Sequence, residues 1–104
     1  MKSMNNLSLT LKQMGDLTGA RSLQEKVIEV MRRILGEEHP DTSQAAWNLF
    51  NILTKLNDRD AAVSVVKEDL MWLLDRDSGT LSARQRHIRR NVIKEIERQK
   101  LSLL

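Results

Sequence analysis

The chain has 104 residues, enough for one domain, and its 40% hydrophobic and 30% charged content is ordinary for a globular protein. It has no cysteine, which excludes disulfides, thiolate metal sites and cysteine nucleophiles. No apolar run approaches the length of a membrane span, and the polar N-terminus does not resemble a signal peptide. We therefore expect a cytoplasmic protein with no membrane partner.

The net charge of +3 is unevenly distributed along the chain. Residues 81–104 hold seven Lys/Arg and two Glu, a net charge of +5, whereas residues 1–80 have a net charge of −2. Such a segment can neutralise nucleic-acid phosphates or dock an acidic protein surface. No aromatic residue is interleaved for base stacking, so nucleic acid is the less favoured partner. The candidate basic surface consists of Arg84, Arg86, Arg89, Arg90 and Lys94.

Apolar residues recur at spacings of three and four along nearly the whole chain, which is the periodicity of helices that are buried on one face. The stripes predict helices over about 2–14, about 17–35, 45–56, 62–73 and 81–96. Four glycines, one proline and 3% aromatic residues offer little for a many-stranded fold. Five helices with short connections predict an all-α protein of antiparallel neighbours.

The stretch "LGEEHPDT" groups four titratable residues and is either a metal or acid/base site or a break between two helices. Gly36 suits the end of a helix, and Pro40 suits the first turn of the next one. Asp41 is the predicted cap of that helix, and Gln44 follows it at capping-box spacing. Only His39 has no predicted structural role. The second interpretation is favoured, because the zinc-binding HExxH spacing is absent.

The sequence contains no GxSxG, no glycine-rich phosphate loop and no paired-histidine motif. Its charged residues lie on the polar faces of the predicted helices. We therefore expect no enzymatic activity, no cofactor and no metal site.

An internal repeat appears when the chain is shifted by 42 residues. The identical pairs lie on equivalent faces of two predicted helix pairs, which strengthens a short series of identities. These pairs are Asn6 with Asn48, Leu7 with Leu49, Leu11 with Leu53, Asp16 with Asp58, Ala20 with Ala62, and Ser22 with Ser64.

The motifs "NNL", "GDLTGA" and "LGEEHPDT" resemble a tetratricopeptide repeat of the kinesin-light-chain type. The resemblance is close over residues 3–42 and degenerate over 45–76, where Trp47 and Phe50 replace an asparagine and a small residue. It implies a right-handed superhelical stack of two antiparallel helix pairs plus a C-terminal capping helix. The implied units are a first repeat over 1–42, a degenerate second repeat over 43–79, and a basic capping helix over 80–104.

The resemblance also implies a non-catalytic scaffold that binds a peptide or protein in the concave groove formed by the first helix of each pair. The groove positions carried over are Asn5, Asn6, Leu9, Gln13, Trp47, Asn48, Asn51 and Lys55. Carboxamides can satisfy a peptide unit without reading its side chain, and an exposed tryptophan is a common anchor. The alternative is structural: the asparagines bond a neighbouring helix, and Trp47 fills space between repeats. Self-association through helix 2–14, or its contact with upstream repeats, is a further expectation.

Overall fold

The computed structural model describes residues 10 and 12–99, and within them the chain is helical and contains no strand. The predicted all-α fold is therefore confirmed. Most of the predicted helix 2–14 lies outside the described residues. A π-helical turn, Val66–Leu70, joins α3 to α4 and makes one continuous helical segment, and a 3₁₀ turn, Ser78–Thr80, precedes α5. The helices are α1 (Leu17–Ile34), α2 (Pro40–Lys55), α3 (Arg59–Val65), α4 (Met71–Asp75) and α5 (Ala83–Gln99).

The turns that begin α1 and α3 repeat each other with the predicted offset of 42 residues. Gly15 and Asn57 occupy equivalent positions, with left-handed backbone φ angles of 88° and 60°. Asp16 and Asp58 follow them as N-caps, and each carboxylate accepts the backbone N–H three residues further on, at 2.9 and 3.1 Å. Asparagine tolerates the left-handed region better than most residues with a side chain, so Asn57 preserves the turn without a glycine.

The "LGEEHPDT" stretch is a helix break, but its cap is not the residue predicted. Gly36 adopts a φ of 91° at the end of α1, and Pro40 opens α2, as expected. The cap is His39, whose Nδ1 accepts the backbone N–H of Asp41 at 3.0 Å. Asp41 lies inside the first turn, so the predicted capping box with Gln44 is wrong. A neutral imidazole nitrogen accepts a hydrogen bond as a carboxylate does, and this gives His39 its structural role.

A capping box does form at the start of α5, within the sequence "SARQ". The backbone N–H of Ser82 donates to Gln85 Oε1, and the backbone N–H of Gln85 donates to Ser82 Oγ, each at 3.1 Å. The reciprocal bonds satisfy two backbone donors at the helix start. Leu81, predicted inside this helix, instead lies just before it and is buried.

The core is built almost wholly from aliphatic side chains of all the helices, with Phe50 as its only fully buried aromatic residue among those described. The α1–α2 hairpin also has a polar tie, because Gln24 Nε2 donates to the backbone carbonyl of Ala45 at 2.9 Å. The π-helical turn departs from the regular stripe predicted for residues 62–73. Val65, the last residue of α3, and Val66, the first residue of the turn, are both buried, where a regular helical stripe needed only one of them.

The helix α5 runs parallel to α2 and is anchored at the α1–α2 turn. Gln85 Nε2 donates to the backbone carbonyl of Glu38 at 2.8 Å, and Arg84 binds the Asp41 carboxylate at 2.7 Å. At the opposite ends of the two helices, Thr54 of α2 and Arg98 of α5 line the same surface depression. The first turns of the two helices therefore lie together, and so do their last turns.

Candidate functional site

Four of the predicted groove residues form a polar strip along one side of α2. Trp47, Asn48, Asn51 and Lys55 follow one another at helical spacing, while core residues such as Leu49 occupy the opposite side. Lys55 is exposed, Trp47 and Asn51 are half-buried, and Asn48 is only 8% exposed. The helix thus holds a tryptophan, two carboxamides and an ammonium group in one row.

The tryptophan of this strip rests on the core through an aromatic stack. The rings of Trp47 and Phe50 are nearly parallel, with an interplanar angle of 13° and centroids 5.3 Å apart. Phe50 is 1% exposed, so one partner of the stack is fixed in the core while the other retains accessible surface. Such a stack holds the indole ring in place, which lowers the entropy that an aromatic anchor loses on binding.

The carboxamide of Asn48 is oriented by a bond within its own helix. Gln44 Nε2 donates to Asn48 Oδ1 at 3.0 Å, across one helical turn. With its oxygen engaged in this way, the Asn48 amide group retains two N–H donors. The sequence had left open whether this asparagine bonds a neighbouring helix, and the bond observed here is instead local.

The helix α5 repeats this arrangement, which no shift of the sequence had revealed. Asn91 Nδ2 and His87 Nε2 are 3.0 Å apart, also across one turn. These two residues follow Gln44 and Asn48 by 43 positions, so an i, i+4 polar pair that ends in asparagine recurs on two parallel, adjacent helices. The roles differ, because Asn48 accepts through Oδ1 whereas Asn91 is bonded through Nδ2. In this register the counterparts of Trp47, Asn51 and Lys55 are Arg90, Lys94 and Arg98.

The predicted basic surface divides into two groups of residues. Three of its members are used inside the protein: Arg84 binds Asp41, Arg86 Nη1 donates to the backbone carbonyl just before Ser82 at 2.8 Å, and Arg89 Nε donates to the backbone carbonyl of Leu73 at 2.9 Å. These arginines fasten α5 to the rest of the fold.

The other two members, Arg90 and Lys94, are exposed and make no ion pair with any residue that the structure describes. Both occupy the α5 positions that correspond to the polar strip of α2. The remaining member of the α5 row, Arg98, binds Glu95 at 2.7 Å. These basic residues and the carboxamides thus occupy corresponding positions on two parallel helices, and we call the set the α2–α5 strip: Gln44, Trp47, Asn48, Asn51 and Lys55 with His87, Arg90, Asn91, Lys94 and Arg98.

The end of the first helix adds positive charge beside this strip. Partial burial lowers the pKa of the Lys12 ammonium from 10.5, and the nearby positive charge of Lys55 lowers it further. Gln13 is exposed on the same helical turn. The other predicted residues of the first helix, Asn5, Asn6 and Leu9, lie outside the described residues.

Metal sites and membrane-spanning helices have recognisable features, which the described part of the chain lacks. Residues 10 and 12–99 contain no group of three or more His, Cys, Asp or Glu side chains placed to hold a metal ion. The Nδ1 atom of His39 is already occupied as a helix cap. None of the helices described is both long and apolar enough to cross a membrane.

Residues 1–41 match the family model of the tetratricopeptide repeat. No curated protein and no solved structure matches the chain. The match covers the segment that carries "NNL", "GDLTGA" and the α1–α2 turn. Tetratricopeptide repeats are typically protein-interaction modules without catalytic activity. The family match therefore supports interaction with a protein partner as the function.

Proposed function

We propose that this protein is a non-catalytic scaffold of the kinesin-light-chain type that binds an extended, acidic peptide segment along the α2–α5 strip. The observation that carries the proposal is the recurrence of one polar pattern on two parallel helices, at Gln44–Asn48 and His87–Asn91. A peptide lying across both helices meets a carboxamide on each of them.

The two helices contribute different chemistry to the strip. From α2 come the Trp47 ring and the carboxamides of Asn48 and Asn51, which suit an apolar side chain and the peptide backbone. From α5 come the positive charges of Arg90 and Lys94, which suit carboxylates. The ligand best matched to the strip therefore carries an apolar residue and, one helix spacing away, acidic residues.

Charge favours the same ligand over longer distances. Lys55, Arg90 and Lys94 are exposed on the strip, and no acidic side chain occupies the equivalent positions of α2 or α5. A surface whose charges share one sign raises the association rate of ligands with the opposite charge, and added salt weakens this effect. The proposal predicts acidic-peptide binding that declines with ionic strength.

Fluorescence anisotropy with matched decapeptides tests the proposal. Each labelled peptide carries one central leucine, flanked by aspartates, serines or lysines. Lys94→Glu reverses a charge on the strip, and Lys67→Glu makes the same change on the exposed side of the π-helical turn. Asn51→Ala removes one carboxamide while the helix is retained.

We expect the acidic peptide to bind best, Lys94→Glu to weaken it by about tenfold, and Lys67→Glu to leave it nearly unchanged, since a change of 1.4 kcal/mol corresponds to a factor of ten. Equal binding of the three peptides, or equal effects of the two charge reversals, would contradict the proposal. Stronger competition by single-stranded DNA than by the acidic peptide would favour nucleic acid as the partner. Self-association through helix 2–14, contact with upstream repeats and a cytoplasmic location stay predictions.

A further inference from the structure

A cavity lies between α1 and α3, on the side of α2 opposite the polar strip. Its volume is about 420 Å³, within the size range of small-molecule sites. Leu49 and Leu53 of α2 reach its floor, although the strip residues of the same helix point the other way. A ligand here would not touch the α2–α5 strip.

Two arginine–aspartate pairs link α1 to the segment formed by α3 and the π-helical turn. Arg21 Nη1 lies 2.9 Å from Asp58 Oδ2, and Arg32 Nε lies 2.8 Å from Asp69 Oδ1. On each helical segment the second pair follows the first by eleven residues, or three turns, which corresponds to about 16 Å along an α-helix. The cavity lies between the two pairs.

The space between the pairs stays open because α3 presents small side chains there. Ala61 and Ser64 face the cavity from α3, and neither is long enough to reach across to α1. The cavity is bounded at one end by the π-helical turn, which places Asp69 at 7% exposure beside it. Single π-helical turns inside helices often accompany functional sites.

The lining has an apolar floor and an acidic rim. Ile28, Leu49 and Leu53 are at most 5% exposed and form much of the floor. On the rim, Glu29 of α1 and Glu68 of the π-helical turn are exposed and have no ion-pair partner among the residues described. Arg32, the one basic side chain among the described residues that line the cavity, is already bound to Asp69.

We infer that this cavity binds a small organic cation, an ammonium or guanidinium group carried on an apolar body. The apolar body would cover the leucine and isoleucine floor, and its charge would lie between the rim carboxylates of Glu29 and Glu68. A neutral molecule of the same shape would gain the burial but not the charge interaction, and an anion would be repelled. This site is independent of the proposed peptide function.

The chemistry of the ligand can be tested with three probes of similar shape. Phenethylammonium carries the cation, 2-phenylethanol is neutral, and phenylacetate is an anion. A short peptide containing one lysine distinguishes a partner's basic side chain from a free amine as the source of the cation. Binding is followed by backbone-amide NMR shifts on the full chain.

Two variants locate the site. Ser64→Leu fills the cavity from an exposed helix position, and Ser22→Leu is its matched control, because Ser22 is the aligned residue of the first repeat and does not line the cavity. The double change Glu29→Gln and Glu68→Gln removes the rim charge with little change of shape. Urea unfolding of each variant verifies that the fold is retained.

We expect phenethylammonium to shift amides within residues 25–32 and 61–69 and to bind at least tenfold tighter than 2-phenylethanol. Ser64→Leu should abolish the shifts and Ser22→Leu should preserve them, while the double glutamine variant should weaken binding by about tenfold, in line with two partly exposed charge interactions. Shifts elsewhere, equal binding of the three probes, or no saturable shift would overturn the inference. If Ser64→Leu fails to fold, the double glutamine variant decides alone.

Discussion

Replacing Gln85 by alanine should weaken the attachment of α5 to the fold, and with it the basic half of the α2–α5 strip. The Gln85 side chain is 4% exposed and takes part in three hydrogen bonds. Its Oε1 accepts from Ser82 N–H, and its Nε2 donates to the Glu38 carbonyl at 2.8 Å and to Ser43 Oγ at 3.4 Å. At about 1 kcal/mol each, their loss should lower the free energy of unfolding by about 2–4 kcal/mol.

The measurement is urea unfolding followed by circular dichroism, with Gln44→Ala as the control. Gln44 is also a helical glutamine, but it is half-buried and makes a single side-chain bond, to Asn48. The control should therefore cost about 1 kcal/mol. Gln85→Ala should in addition speed hydrogen exchange in α5 before global unfolding. Equal losses of stability for the two variants, with unchanged exchange in α5, would refute the anchoring role of Gln85.

Three further predictions concern the turns and the core. Gly36→Ala should lower the free energy of unfolding by about 1 kcal/mol, since the residue has a φ of 91°. Gly79→Ala should leave it nearly unchanged, because the φ of Gly79 is not positive and an added Cβ would meet only a carboxylate oxygen at 3.8 Å. The midpoints of urea unfolding compare the two variants. The backbone hydrogen bond from Ala61, and then Arg21, lower the pKa of Asp58 from 3.8 in the folded protein. The ionised carboxylate therefore stabilises the fold above pH 3.8, and this stabilisation is lost as the pH falls through the lower folded-state pKa. Asp58→Asn should flatten the acid side of a curve of unfolding free energy against pH, and an unchanged curve would contradict this. Phe50→Ala should lower the unfolding free energy by about 3–5 kcal/mol because the ring is 1% exposed, and a stabilised variant would show instead that the site is overpacked.

Most of the fold could be predicted from local signals in the sequence. The 42-residue offset correctly paired Asp16 with Asp58, because a cap requires only a short polar side chain and the following backbone N–H groups. The helix break at Gly36 and Pro40 was predictable for the same local reason. The π-helical turn was not, because it depends on how the segment packs against α2 and on the bond between Asp69 and Arg32.

The N-cap of α2 was predicted wrongly from local sequence patterns. The pattern of Asp41 and Gln44 has capping-box spacing, yet Pro40 opens the helix one residue earlier and leaves His39 as the cap. The true capping box, Ser82 with Gln85, was present in the sequence and followed the same rule. Spacing alone could not rank the two, because the backbone of the preceding turn decides which residue comes first.

The composition of the strip was the part least accessible from sequence. The positions of Trp47 and Asn51 followed from the repeat, and a basic helix was evident from composition. Their correspondence with the basic residues of α5 depends on the parallel alignment of α2 with α5, at an offset of 43 rather than 42 residues, and this alignment is fixed by tertiary contacts. Only the recurring i, i+4 polar pair on both helices marks the register.

The acidic turn between α1 and α2 explains how α5 can be so basic and still pack against the fold. Glu38 binds Arg76 at 2.6 Å, and Asp41 binds Arg84 at 2.7 Å, so the turn neutralises arginines on both sides of the α4–α5 connection. Further along α5, Arg98 binds Glu95, whereas Arg90 has no ion-pair partner among the described residues and keeps its charge exposed on the strip. Glu38 and Asp41 of the "LGEEHPDT" stretch, whose titratable residues are also compatible with a metal or acid/base site, thus help to hold in place the helix that carries the proposed binding charge. Asp41→Asn should therefore weaken acidic-peptide binding indirectly, although it adds positive charge to the protein, and tighter binding by this variant would show that α5 does not depend on the turn.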